Sequence, residues 1–106
     1  MRHYVIDGNN LIGKIGALQK LQNKDKQSSR EKLAFLLERY FSGKNNIKVT
    51  LHFDGFPGQA IKIQNIKIIY SNKRTADDEI KLQIEQEKNA RNMIIISSDF
   101  NLASLP

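Results

Sequence analysis

Tyr4-Val5-Ile6-Asp7-Gly8-Asn9-Asn10 takes the chain from an apolar run, through a carboxylate, into a glycine–asparagine turn. The continuous run His3 to Ile6 predicts a strand buried on both faces, as in a parallel sheet covered by helices. The same sequence of events recurs. Asp54 follows Val49 to Phe53, Asp77 comes a short step after Ile66 to Tyr70, and Asp99 comes just after Met93 to Ile96. Ligands of open α/β sheets bind in the crevice outside the carboxyl ends of the strands. Carboxylates placed there converge however far apart they lie in the sequence. Crowded like charges disfavour ionisation, and a divalent cation relieves that conflict. Hard oxygen donors suit Mg²⁺ or Mn²⁺. The four aspartates therefore predict a metal-dependent phosphodiesterase site.

The segments between these points fill in the architecture. Leu11, Ile12, Ile15 and Leu18 fall at helical spacing, and Asn23 to Gln27 is a polar break. Ser28 and Glu31 spell a capping box for a helix reaching about Phe41. Its expected apolar face is Leu33, Leu36, Leu37, Tyr40 and Phe41, and Gly43 ends it. Ile47 to Phe53 predicts the second strand, and the Gly- and Pro-containing stretch Asp54 to Gln59 a loop. Ile61 and Ile63 suggest a short extended piece before the third strand, Ile66 to Tyr70. Thr75 caps a helix expected to run to about Ala90 and to bury Ala76, Ile80 and Ile84. Met93 to Ile96 is the last strand, followed by Ser97-Ser98-Asp99. The order β-α-α-β-β-α-β predicts a mainly parallel sheet in a three-layer α/β/α sandwich, one domain over residues 1–106. The second and third strands are joined without a convincing helix, so the direction of the third is open.

Composition narrows the chemistry. At 106 residues the chain makes one small core. Its net charge of +6 suits a polyanionic partner, although a general lysine bias gives the same number. With no cysteine, disulfides, zinc–thiolate sites and thiol nucleophiles are excluded. No apolar run approaches the roughly 20 residues of a membrane span, and no signal-peptide core precedes the first strand, so the expected location is the cytoplasm.

Each motif also has a plainer reading. Asp7-Gly8-Asn9-Asn10 supplies carboxylate, close approach and amide groups for a metal site, or it is an ordinary Asp-Gly turn with an asparagine cap. Gly8 to Gly13-Lys14 has the spacing of a phosphate-binding loop, but Ile15 stands where a Ser or Thr must hold Mg²⁺, so nucleotide hydrolysis is disfavoured. Asp77, Asp78 and Glu79 share the first turn of a helix, where carboxylates favour the dipole. The small Ala76 beside Asp77 marks it as the functional member. Lys14, Lys73 and Arg74 are candidate phosphate contacts. Ser98 is placed to orient a carboxylate or to cap a helix. His3 and His52, embedded in strands and without partners at ligand spacing, read as packing or surface residues. With no positioned His or Cys, a nucleophilic triad has no support.

Taken as a set, Asp7-Gly8-Asn9-Asn10, Phe53-Asp54, Thr75-Ala76-Asp77-Asp78 and Ser97-Ser98-Asp99 resemble the PIN-like nuclease superfamily, and within it the YacP-like NYN-domain family of bacterial endoribonucleases. The resemblance implies a Mg²⁺- or Mn²⁺-dependent cut in RNA, ribosome-associated mRNA being one form of that substrate. It places Asp7, Asp77 and Asp99 on the family's metal-binding acidic positions. Asn10 falls on the asparagine of its first motif, and Asp54 on an acidic position after the second strand. Family members continue with a helix, a further strand and a C-terminal helix, whereas this sequence stops at Leu105-Pro106. The expectation is a domain lacking the C-terminal strand and helix, with an edge open to homodimer pairing. Two rival functions share these motifs: an RNA-binding module of the same fold that does not cut, and the ribonuclease toxin of a toxin–antitoxin pair.

Overall fold

The computed structural model describes residues 2–87 and 92–96. Strand β1 (Arg2–Asp7) leads directly into helix α1 (Gly8–Lys14). Helices α2 (Gly16–Lys24) and α3 (Lys26–Phe41) follow, then strands β2 (Ile47–Phe53) and β3 (Ile66–Tyr70). Helix α4 (Ala76–Gln86) and strand β4 (Met93–Ile96) complete the described elements. The sheet order is β3-β2-β1-β4, and every pairing is parallel. That settles the direction of β3. It also puts β4 beside β1, so the strand order reverses between them, the place where open α/β sheets form a ligand crevice.

The two faces of the sheet differ. Ile6, Val49, Leu51 and Phe53 pack with Ile12, Leu18, Leu33, Ala34 and Phe41 into the larger core under α1 to α3. On the other face, Val5 meets Ile80 and Ile84 of α4, with Met93 and Ile95 alongside. The α4 face is the more polar one. His3 and Thr50 are buried and joined by a 2.7 Å hydrogen bond, and His52 bonds Gln83 of α4 at 2.8 Å. Both histidines are packing residues with polar partners.

Three expectations shift in detail. The turn at Gly8 is absent, because Asp7 is both the last strand residue and the cap of α1, accepting the Asn10 N–H at 3.2 Å. α3 is capped by Asp25 rather than Ser28. The Asp25 carboxylate accepts from the backbone of Gln27 and Ser28 and from the Ser28 hydroxyl, so the helix begins three residues sooner than a cap at Ser28 allows. Its buried side is Ser29, Arg30, Leu33, Ala34 and Phe41, while Leu36 and Tyr40 are exposed.

The connection from β2 to β3 carries no helix, and α3 does that work instead. Gln27 donates to the Gln59 carbonyl at 2.9 Å, Arg30 donates to the carbonyls of Asp54 and Phe56, and Glu38 accepts from the Gln64 N–H. Ile61 and Ile63 form no strand, but they pack against the larger core. The connection is thus stapled along α3 and delivers β3 parallel to β2.

Candidate active site

The close contact between β1 and β2 begins the site. Gly8 is buried where α1 starts, and a Cβ there would lie 2.6 Å from the Phe53 ring and 2.8 Å from the His52 carbonyl oxygen. Only glycine lets α1 rise straight off the end of β1 against the end of β2. Asp7 is thereby held at the crevice with 6% exposure, its Oδ1 on the Asn10 N–H. In register beside it on β2 is His52. Burial pushes the His52 pKa down; the Gln83 hydrogen bond and the Glu79 charge oppose the shift. The ring is therefore neutral near pH 7. Its Nδ1 is buried without a hydrogen-bond partner among the described residues.

Asp54, just past β2, belongs to the scaffold of the site. Its N–H donates to Asn9 Oδ1 at 2.7 Å, its carboxylate accepts the Ala76 N–H at the start of α4, and its carbonyl accepts from Arg30. One residue thus ties the starts of α1 and α4 together. Asp54 was expected as a possible metal ligand; here one of its carboxylate oxygens is spent on holding α4.

Thr75 caps α4, accepting the Asp78 N–H at 3.1 Å. Asp77 shares that first turn. Its Oδ2 lies 2.9 Å from Lys81 Nζ, and its Oδ1 is buried with no hydrogen-bond partner among the described residues. Ala76 is buried, Asp77 half-buried and Asp78 exposed, so the two aspartates differ in burial. A buried carboxylate oxygen left unpaired is unfavourable unless something occupies it.

The remaining candidates are distributed unevenly. Lys73 and Arg74 lie in the turn before α4, both exposed, and Arg74 pairs with Glu79 at 3.4 Å. Lys14 is exposed in the last turn of α1, about 10 Å along that helix from its start beside Asp7. Ser98 and Asp99 lie outside the described residues. Among the described residues, no group of three carboxylate or imidazole side chains is placed to hold a metal ion. Asp7 and the unpaired Oδ1 of Asp77 are nonetheless hard, buried oxygen donors, the kind a divalent cation of the Mg²⁺ class requires.

Sequence reasoning missed Arg30 and Phe56. Arg30 is 4% exposed, lies 5.2 Å from the Phe53 ring centre and 5.4 Å from that of Tyr70, and holds the loop after β2. An arginine three and four residues before Leu33 and Ala34, on the apolar stripe of α3, was the available signal.

The family model for the YacP-like NYN domain matches residues 4–105. The parallel α/β fold and this match define the class of domain, one whose family implies a nuclease-like, RNA-related function. The chain belongs to the YacP-like NYN domain family. Among solved structures, it is similar to Rae1 (YacP) from Bacillus subtilis, determined as a mutant form, with a TM-score of 0.74 and 25% identity. That match covers 96% of this chain and 62% of the Rae1 chain, so this chain spans less than two thirds of that protein's length. Comparison with curated proteins returns no match. Among the described residues no helix is long and apolar enough to cross a membrane.

Proposed function

We infer that this domain is a divalent-metal-dependent endoribonuclease that hydrolyses RNA phosphodiester bonds in the crevice at the carboxyl ends of β1 and β4. The observation that carries this reading is the buried Oδ1 of Asp77, without a hydrogen-bond partner among the described residues, in a fold that also buries Asp7 at the switch point. Asp7, Asp77 and Asp99 would hold Mg²⁺ or Mn²⁺, which supplies Lewis acidity toward the phosphate and toward water. The chain's own residues do the positioning. Asp54 and Asn9 fix the starts of α4 and α1, and with them the backbones that carry Asp77 and Asp7. Lys73 offers an exposed cation to a flanking phosphate, while Arg74 must share itself with Glu79.

Labelled RNA and DNA incubated with Mg²⁺, Mn²⁺ or chelator test this reading. RNA should be cut with metal only, and Asp7→Asn and Asp77→Asn should each abolish cutting while the fold persists. Metal-dependent cutting that survives either change would discard the site.

A second reading, a domain that binds RNA without cutting it, is favoured by one contact. The Lys81 ammonium 2.9 Å from Asp77 Oδ2 already neutralises a carboxylate that a metal would need. Lys81→Met separates the two. Unchanged, absent cleavage in both proteins alongside intact RNA binding supports the second reading.

A further inference from the structure

Phe56 is 63% exposed, two residues past Asp54, and lines an open recess of about 660 Å³ with Ser71, Asn72, Lys73, Arg74 and Glu79. An aromatic ring so placed loses the favourable burial that most phenylalanines gain. Its backbone is nevertheless held firmly. Arg30 donates to the Phe56 carbonyl at 3.2 Å and also to that of Asp54, from a position almost wholly buried beneath the loop. The Gly55 N–H donates to Ser71 Oγ at 3.0 Å, and the Gly55 carbonyl accepts the Asn72 N–H at 2.8 Å. Gly55 and Asn72 both take positive φ, +80° and +59°, to make that double tie. The loop bearing the ring is thus fixed to α3 on one side and to the turn before α4 on the other. The exposure of Phe56 is built into the fold.

The neighbours of the ring indicate what would cover it. Lys73 is an exposed cation with no ion-pair partner among the described residues, and Arg74 is beside it. The one carboxylate in the recess, Glu79, is turned to Arg74 at 3.4 Å. The other exposed large apolar residues among those described are Ile15, Phe35, Leu36, Tyr40 and Ile94, and none of them lines this recess. A protein partner would call for a wider apolar patch. A single ring flanked by cations matches the repeating unit of a single-stranded nucleic acid, one flat base and one phosphate.

We propose that Phe56 is a stacking platform for an unpaired base of single-stranded RNA, with Lys73 taking the adjoining phosphate. This rests on the RNA reading given above and adds to it a preference for unpaired strands. Within a duplex each base is already stacked on its neighbours, so the ring can engage only a base that is free to leave such a stack.

The chain contains no tryptophan, so Phe56→Trp introduces a single indole reporter at the proposed contact. Titrating this variant with a fluorescein-labelled single-stranded oligoribonucleotide, in chelator and again with Mg²⁺ in short low-temperature titrations, reads binding by anisotropy. An unlabelled oligonucleotide of the same sequence reads stacking by indole emission. Binding should quench the indole, an RNA hairpin duplex should quench it weakly, and Phe56→Ala should weaken single-strand binding about tenfold. Oligonucleotide that binds without quenching, equal quenching by the duplex, or unchanged affinity in Phe56→Ala each overturns the stacking role and leaves the RNA reading standing. Absence of binding by the wild-type chain to either RNA overturns both. A concentration-dependent dimer that Phe56→Ala dissolves would assign the ring to a second copy of the chain and reject the proposal.

Discussion

A methyl group at position 8 would land 2.6 Å from a carbon of the Phe53 ring and 2.8 Å from a backbone oxygen. The ring could turn aside, but the carbonyl of β2 cannot. Gly8→Ala should therefore lower stability by about 1–3 kcal/mol, read by chemical denaturation, through overpacking rather than lost chemistry. The two histidines give a pH prediction. Burial is the leading cause that pushes both pKa values below the ordinary 6.5; Lys48 adds to the shift at His3, while Glu87 opposes it. The unfolded chain then takes up protons that the folded chain refuses. Stability is present above about 6.5 and falls as pH drops below it. The melting temperature should decline from pH 7 to pH 5, and the decline should be shallower in His52→Gln. At this scale the sequence placed Asp7 at the end of a strand and Asp77 and Asp78 in the first turn of a helix, because position at a strand end or helix start is a local property. It could not show that His52 would be buried beside Asp7 with Gln83 as its partner, since that contact joins residues 31 apart.

Among the elements, α3 and α4 carry most of what is testable. Arg30 spends guanidinium N–H groups on two loop carbonyls, and no carboxylate pairs with it among the described residues. Arg30→Met should preserve the apolar packing yet cost about 1–3 kcal/mol and open residues 54–59 to limited proteolysis. Cleavage rates matching the wild type would remove Arg30 from that role. In α4, the Asp78 backbone rather than its side chain makes the bond to Thr75. Asp78→Asn should therefore change stability by only about 0.5 kcal/mol, through the helix dipole, and keep activity. Asp77→Asn should remove metal-dependent cleavage with the fold intact; the opposite pattern of rates and melting temperatures would transfer the role to Asp78. The strands and the start of α4 were legible because apolar runs and a Thr cap are short-range signals, whereas α4 ends at Gln86 rather than near Ala90. The start of α3 was not, because Asp25 and Ser28 compete as caps, and the carboxylate gathers three hydrogen bonds to itself.

The whole molecule combines a net charge of +6 with the acidic crevice proposed above at the carboxyl ends of its strands. RNA binding should accordingly weaken steeply between roughly 50 and 200 mM salt, and Lys73→Glu should weaken it for every sequence alike. Affinity that is flat across that range would remove the electrostatic part of the account. The parallel order of the sheet was only partly visible beforehand. β1, β2 and β4 followed from periodicity, whereas β3 hung on a connection with no helix to signal a crossover. The staples from Gln27, Arg30 and Glu38 that resolve it are side-chain contacts across the molecule, which no short window of sequence contains. They also set an order of assembly. A parallel pair cannot zip from a hairpin, so β3 has no local route onto β2 and must wait until α3 has docked to receive the connection. As a border strand paired, among the described elements, only with β2, it should also let go before β1 and β2. In native-state hydrogen exchange, the amides of Ile66 to Tyr70 should open at lower free energy than those of β1 and β2, as a unit that detaches while the rest of the sheet stays closed.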